Sequence, residues 1–482
     1  MIHSLIQFQR KNPIVFIRLS TSCALFLLML FTPFSSSSFA QEEKAPALSL
    51  SDAVDLSLEQ NRELIATRFD FKASEHSKSE ARSGYFPQVS FESNFSKIDS
   101  DRYDFDIPSD SPFADLFNVD QLGITGTNYT NSFKLQQLIF DRSVIGRIKL
   151  ADLQSMAASW QEKGQEQTVV FETVSAYLDV MRAQELMNVQ KQRLALADKQ
   201  LNTAKTNFEV GLRIRTDVLR AELTRSSALR DLVSAEIAFR NAKVKLNEIL
   251  GVPIDQEYQF LEGSLASYNP PAESMETFQH YDNLFLLAET SHPSIRVASF
   301  LVDQYEESVK IARGEFAPRA SIGASWGFNE NDRISFEDEE WAVQLGVQVP
   351  IFEGGRKIAK VRRTKAELEA QKNRYDDTVR IIKTLVEQSA LALQEEQRNL
   401  EIAIQAEIVA TENHERFLNL YEEGLADSLD VTQALTELVE AQTDVVTTRY
   451  GYLIVYSQLL NAVGMTPIEG ETYSNLDWLS TL

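Results

Sequence analysis

The chain carries a single cysteine among its 482 residues. That residue, Cys23, lies in an apolar stretch near the N-terminus, so the rest of the chain can form neither a disulfide nor a thiolate metal site. Histidine is scarce too, with five in all. His76, His280, His292 and His414 stand apart in sequence, without the close pairing of a zinc site. His414, beside Glu412 and Glu415, is expected on a solvated helix face. No H-E-x-x-H, G-x-S-x-G or phosphate-cradling glycine loop occurs. No residue is therefore a candidate for catalysis, and no cofactor is expected. Positive charge is in deficit, 47 Lys+Arg against 70 Asp+Glu and a net charge of -23, which argues against nucleic acid and anionic headgroups as partners. No apolar run is long enough to cross a bilayer as a helix.

Helix breakers are missing from two long stretches. Ser143 to Phe208 contains no proline and only Gly146 and Gly164, and Lys357 to Tyr421 contains neither residue type. Each can run as one helix of roughly 100 Å, at about 1.5 Å per residue, and both are too polar to lie in lipid.

What is present begins with a secretory signal over residues 1–40. Arg10, Lys11 and Arg18 form its basic flank, Cys23 to Phe31 its apolar stretch, and Ser38-Phe39-Ala40 a small-x-small cleavage site before Gln41. Cleavage removes the only cysteine, so the exported chain cannot be lipidated at its new N-terminus. Residues 41–482 contain no Pro/Gly/Ser-rich linker and are expected to form one domain.

That domain is written twice. Tyr85-Phe86-Pro87-Gln88-Val89-Ser90-Phe91 recurs as Phe316-Ala317-Pro318-Arg319-Ala320-Ser321-Ile322. Phe208-Glu209-Val210-Gly211-Leu212, followed by Asp217-Val218, recurs as Tyr421-Glu422-Glu423-Gly424-Leu425, followed by Asp430-Val431, and Gly251 answers Gly464. The copies span residues 48–251 and 284–464. A unit of this length is neither a solenoid repeat nor a propeller blade. The segments 252–283, with Pro270-Pro271, and 465–482 flank the copies and suggest a collar.

Each copy opens with two segments of period-two alternation, giving strands expected at about 88–97, 131–140, 319–328 and 340–350. Val89, Phe91 and Phe95 share one face, as do Phe133, Leu135 and Ile139; Ile322, Ala324 and Trp326; and Trp341, Val343, Leu345 and Val347. The opposite faces carry small or polar residues. Strands near ten residues with aromatics toward their ends suit a membrane barrel, and a soluble sheet with one face on a core is the alternative. Four strands cannot close a barrel alone, so several copies must share one. The turns between strands are acidic: the loop 98–129 runs from Asp99 to Asp120 through five further aspartates, and the second turn has Asp332, Glu337 and Asp338. They lack the glycine and closing glutamate of a calcium loop and read as solvated.

The helical stretches carry a narrow apolar seam, at Leu194, Ala197, Leu201, Ala204 and Phe208 outbound and at Leu232, Ala235, Phe239, Ala242, Leu246 and Ile249 returning. Tyr452, Tyr456, Leu459 and Val463 repeat it in the second copy. Steps of three and four are those of packed coiled-coil helices. At the turns, Gly211 precedes Thr216-Asp217 and Gly424 precedes Ser428, which are expected to supply a flexible residue and then a hydroxyl N-cap.

The tandem copy, Pro87 and Pro318 entering strands, Pro350-Ile351-Phe352-Glu353-Gly354-Gly355-Arg356 leaving one, and the tips Val210-Gly211-Leu212 and Glu423-Gly424-Leu425 together resemble the TolC-type outer-membrane efflux family over essentially the whole mature chain. The resemblance implies a mainly helical fold with a membrane β-barrel, built as a homotrimer with a twelve-stranded barrel and a periplasmic helical tunnel. It implies an exit duct for small molecules or polypeptides, with a periplasmic adaptor, an inner-membrane pump or ABC exporter, and outer-membrane lipid as partners. It assigns the two tips to adaptor docking, and Tyr421 and Asp430 to the periplasmic aperture. Two positions depart from the family pattern: Ala426 stands where some members have an arginine that holds the gate shut, and Gln433 where a second aspartate would be. From the residues alone, a periplasmic coiled-coil scaffold and an outer-surface adhesin are the competing readings.

Overall fold

A computed structural model describes residues 46–98, 126–260, 281–331 and 339–466. The signal over 1–40, most of the acidic loop 98–129, the acidic turn around Asp332 and Glu337, His280, Pro270-Pro271 and the C-terminal collar beyond 466 lie outside the described residues. The elements run β1 (Ala47–Leu48), α1 (Leu50–Gln60), α2 (Arg62–Ser83), β2 (Gln88–Ile98), β3 (Gly126–Phe140), α3 (Arg142–Glu209) and α4 (Arg215–Leu250). The second half continues with β4 (Gln259–Phe260), α5 (Tyr281–Ser291), α6 (Pro293–Gly314), β5 (Arg319–Asn331), β6 (Glu339–Gln348), α7 (Arg356–Glu422) and α8 (Ser428–Ala462).

β2, β3, β5 and β6 form one antiparallel sheet in that order. Its register aligns Phe91, Phe133, Trp326 and Trp341 in a single row across all four strands. The Phe91 and Phe133 ring centroids are 4.9 Å apart and those of Phe133 and Trp326 5.9 Å, distances at which aromatic pairs attract beyond their burial. The neighbouring row is Val89, Leu135, Ala324 and Val343. These large apolar side chains are exposed, Trp341 by 74% and Val89 by 68%. The other face is polar, and there Lys134 pairs with Glu92. Pro318 ends the turn before β5, where a missing N–H costs no ladder bond.

The helices repeat this order. α3, of 68 residues, and α7, of 67, continue from β3 and β6 and run far from the sheet. Beside the sheet the packing order is α2, α3, α6, α7; beyond it, α4 and α8 replace α2 and α6, and the order becomes α4, α3, α8, α7. The seam residues Ala197, Leu201, Ala204, Leu246, Tyr452, Tyr456, Leu459 and Val463 are buried, whereas Phe208, next to the turn that ends α3, is exposed.

Between the two levels lies the main core, where α1 and β1 pack with β4 and the long helices. Tyr177 is 1% exposed and donates its hydroxyl to the Leu48 carbonyl at 3.1 Å. Burial, with the Asp52 carboxylate, pushes this phenol up to about 12, so it stays a donor. The two copies share a joint here. Asn61 caps α2 by accepting from the Leu64 amide and donates its side-chain N–H to the Ile249 carbonyl at 2.9 Å. In the second copy His292 caps α6, while Ser291 donates its hydroxyl to the Val463 carbonyl at 3.0 Å. Gly251 has φ 75° and sits so close to the first joint that a Cβ would lie 2.3 Å from the Gln60 carbonyl oxygen. Gly464 has φ 82° and meets His292 in the same way.

Gly251→Ala should therefore destabilise the protein by clearly more than the ~1–2 kcal/mol of left-handed strain. Gly211→Ala, with nothing within 4 Å of its Cβ position, should cost only the strain. Thermal unfolding of the detergent-solubilised protein measures both, and equal losses would mean that the joint is not closely packed.

Candidate functional site

The helical hairpins turn at two tips with the same backbone scheme. In the first, the Gly211 amide donates to the Phe208 carbonyl at 3.0 Å and the Leu212 amide to Asn207 at 2.8 Å. In the second, Gly424 donates to Tyr421 at 3.1 Å and Leu425 to Leu420 at 2.8 Å. This paired arrangement closes a helix with a left-handed residue, and Gly211 and Gly424 have φ 77° and 82°. Val210, Leu212 and Leu425 are exposed by 64, 74 and 74%, and Glu423 is exposed beside them. Apolar side chains clustered in solvent mark a contact surface more often than isolated ones do.

The returning helices do not start as the sequence suggests. The cap of α8 is Asp427, whose carboxylate accepts from the Leu429 amide at 2.6 Å and the Asp430 amide at 3.1 Å, rather than Ser428, which is already helical and buried. A carboxylate is the stronger acceptor and also complements the helix dipole. In the first tip the cap is Ile214, with no side-chain bond, and Thr216-Asp217 falls inside α4. Asp430 completes a capping box by accepting from the Asp427 amide at 3.1 Å.

The two tips touch through a residue that no sequence motif singles out. The Arg213 Nη2 donates to the Ala426 carbonyl at 2.9 Å and to the Tyr421 carbonyl at 3.3 Å. Its guanidinium lies 4.6 Å from the centre of the Tyr421 ring. Tyr421 is 2% exposed, and its hydroxyl has no hydrogen-bond partner among the described residues. Burial raises this phenol, opposed by Arg213 and aided by Asp217. Behind the ring is a small cavity lined by Gln200, Thr203, His414, Leu418 and Leu435, and Gln200 bridges α3 to α8 by donating to the Thr432 hydroxyl at 3.1 Å.

His414 is buried at 6% exposure, not solvated as its glutamate neighbours suggest. It shares with Leu418 and Tyr421 a stripe of α7 at helical spacing, and these side chains line the cavity together with Gln200 and Thr203 of α3. Burial lowers its pKa below the ordinary 6.5, with Lys199 lowering it further and Glu415 opposing. His292 is lowered by burial as well. For a histidine depressed in the folded state, stability is full above the unfolded value and is lost as pH falls below it. The melting temperature of the detergent-solubilised protein should drop on acidification through 6.5, and His414→Gln should flatten that drop; an unchanged pH profile would mean that His414 is not buried in solution.

Among the described residues no group of three or more His, Cys, Asp or Glu side chains could hold a metal ion. No described helix is long and apolar enough to cross a membrane.

A family model described as outer membrane efflux protein matches residues 53–252 and 285–465. The outer membrane efflux protein BepC of Brucella suis is 24% identical over 428 residues, covering 86% of this chain and 85% of its own. The outer membrane protein TolC of Vibrio cholerae is 24% identical over 434 residues, covering 87% and 91%. Among solved structures, the Campylobacter jejuni CmeC outer membrane channel superposes with a TM-score of 0.70 over 89% of each chain at 17% identity, a likeness of fold. With the two matched segments together spanning most of the sequence, the chain belongs to the outer membrane efflux protein family.

Proposed function

We propose that three copies of this outer-membrane protein close into one duct, a barrel in the membrane continued by a helical tunnel, through which cargo leaves the periplasm. The observation that carries this reading is the row of four. Sheet and helices keep the same four-wide order, and among the described elements β2 and β6 end the sheet, while apart from the other members of the rows α4 packs only with the short α1, and α7 with the short α5, to any extent. β2 and β6 offer unpaired edges, which hydrocarbon does not tolerate. Three copies would set twelve strands, four from each, round a bore wide enough to stay open. The helical ends agree. Leu223, Ile237 and Val244 are exposed along α4, and Ile381, Ile402 and Val409 along α7, in both cases at multiples of seven residues, the spacing of a seam that expects a partner helix.

The exposed apolar sheet face meets outer-membrane lipid and the polar face lines the lumen. Energy and choice of cargo, small molecule or polypeptide, come in this reading from an inner-membrane pump or ABC exporter reached through a periplasmic adaptor. Tyr421 and Asp430 stand at the aperture of the closed end. The tips Val210-Gly211-Leu212 and Glu423-Gly424-Leu425 are the adaptor surface, because their exposed side chains surround a backbone that glycine leaves open to close approach.

Purified protein in planar bilayers should conduct ions, and the protein should resist extraction from membranes by high salt. Absence of conductance would favour an adhesin, and release by salt a periplasmic scaffold. Replacing both Gly211 and Gly424 with leucine should abolish crosslinking to the adaptor and transport, while assembly and insertion persist. If crosslinking is retained, the glycines serve only to end their helices.

A further inference from the structure

The two tips share a backbone and differ in charge. Aligned on Gly211 and Gly424, Val210 stands opposite Glu423, Ile214 opposite Asp427, Arg215 opposite Ser428 and Arg220 opposite Gln433. In each exchange the first tip carries the more positive residue, and between 203 and 221 only Thr203 against Arg416 runs the other way. Arg215, Arg220, Glu422 and Glu423 are exposed, and their charged groups have no ion-pair or hydrogen-bond partner among the described residues. These charges do not pair with each other, because the contact between the tips runs from Arg213 to two carbonyls. They face outward round the same apolar centre, Leu212 in one tip and Leu425 in the other, each 74% exposed.

We infer that the two tips receive unlike partner surfaces, an acidic element of the adaptor on the first tip and a basic element on the second. The inference rests on the reading of the tips as the adaptor surface, and adds to it which charge each tip selects. An apolar centre with a charged rim is the usual build of a docking patch. With matching backbones and matching leucines, the centres alone would let one adaptor element settle on either tip. The rims separate them. An element displaced by one tip would set like charges against each other, and such repulsion discriminates between sites more sharply than a lost attraction does. Around a ring of copies the tips alternate in sign, so that only a displacement by a whole chain restores the contact. The net charge of -23 conceals this, since it speaks against polyanions for the chain as a whole.

The test uses the full-length trimer in a neutral detergent, with hexaglutamate and hexalysine as probes. Cysteine introduced at Leu212 or at Leu425, in a chain whose only cysteine is Cys23, carries a benzophenone that captures a peptide bound at that tip. Leu212→Cys should capture hexaglutamate and Leu425→Cys hexalysine, each several-fold above the other peptide, and both preferences should fade in high salt. Arg215→Gln with Arg220→Gln should abolish capture of hexaglutamate and leave that of hexalysine in place; Glu422→Gln with Glu423→Gln should do the reverse. All four side chains are exposed, so native mass and melting temperature should not change. Equal capture of either peptide at both tips, or a preference untouched by these substitutions, would overturn the inference. Crosslinking to the adaptor in cells, through the same two cysteines, reads the docking separately. Peptide preferences as expected with no adaptor captured would leave the unlike tips standing and overturn the adaptor surface, whereas adaptor captured without any peptide preference would do the opposite.

Discussion

Every outward-facing N–H and C=O on the free edges of β2 and β6 needs a hydrogen-bond partner that the described residues of one chain do not supply. In water, solvent would serve. In hydrocarbon it cannot, and the exposed aromatic row Phe91, Phe133, Trp326 and Trp341 makes hydrocarbon the natural neighbour of this sheet. The rest of the architecture is consistent with meeting that constraint by repetition. Two tandem copies supply one strand hairpin each, side by side, and the helices that continue them inherit the order. α3 and α7 act as spines, since each emerges from a strand and keeps a place in both helical rows.

The second constraint is that rows of such length must be registered along their axis. The joints at Asn61 and at Ser291 with His292 do this by tying short helices to the last carbonyls of α4 and α8. Gly251 and Gly464 let the backbones approach where a side chain would not fit. At the far end the packing is more polar: a buried histidine, a tyrosine hydroxyl with no partner among the described residues and a cross-hairpin arginine join the small cluster of Leu201, Ala204, Val218 and Ala221.

Much of the fold is legible in the sequence because its signals are periodic. Val89, Phe91 and Phe95 alternate, and they form a strand; Ala197, Leu201 and Ala204 step by threes and fours, and they form a buried seam. The features that escape the sequence depend on phase or on distance. Asp427 and Ser428 are adjacent potential caps, and only the backbone conformation at 427 decides between them. The glutamates around His414 suggest solvent, yet its spacing to Leu418 and Tyr421 puts it on the packed stripe. Arg213 is invisible as a contact because its acceptors are backbone atoms of another hairpin, which leave no trace in residue identity. A signal that marks the position is a mismatch between the two copies, where Gly-Leu is followed by arginine in the first tip and by alanine in the second.

Shared closure of the barrel is the central claim, and the mass of the detergent-solubilised particle tests it most directly. Native mass measurement should give three chains per particle, with the strand signal of the intact protein and no folded monomer on dilution. A monodisperse monomer or dimer that retains its strand signal would show that the edges of β2 and β6 are satisfied in some other way, and would contradict the duct.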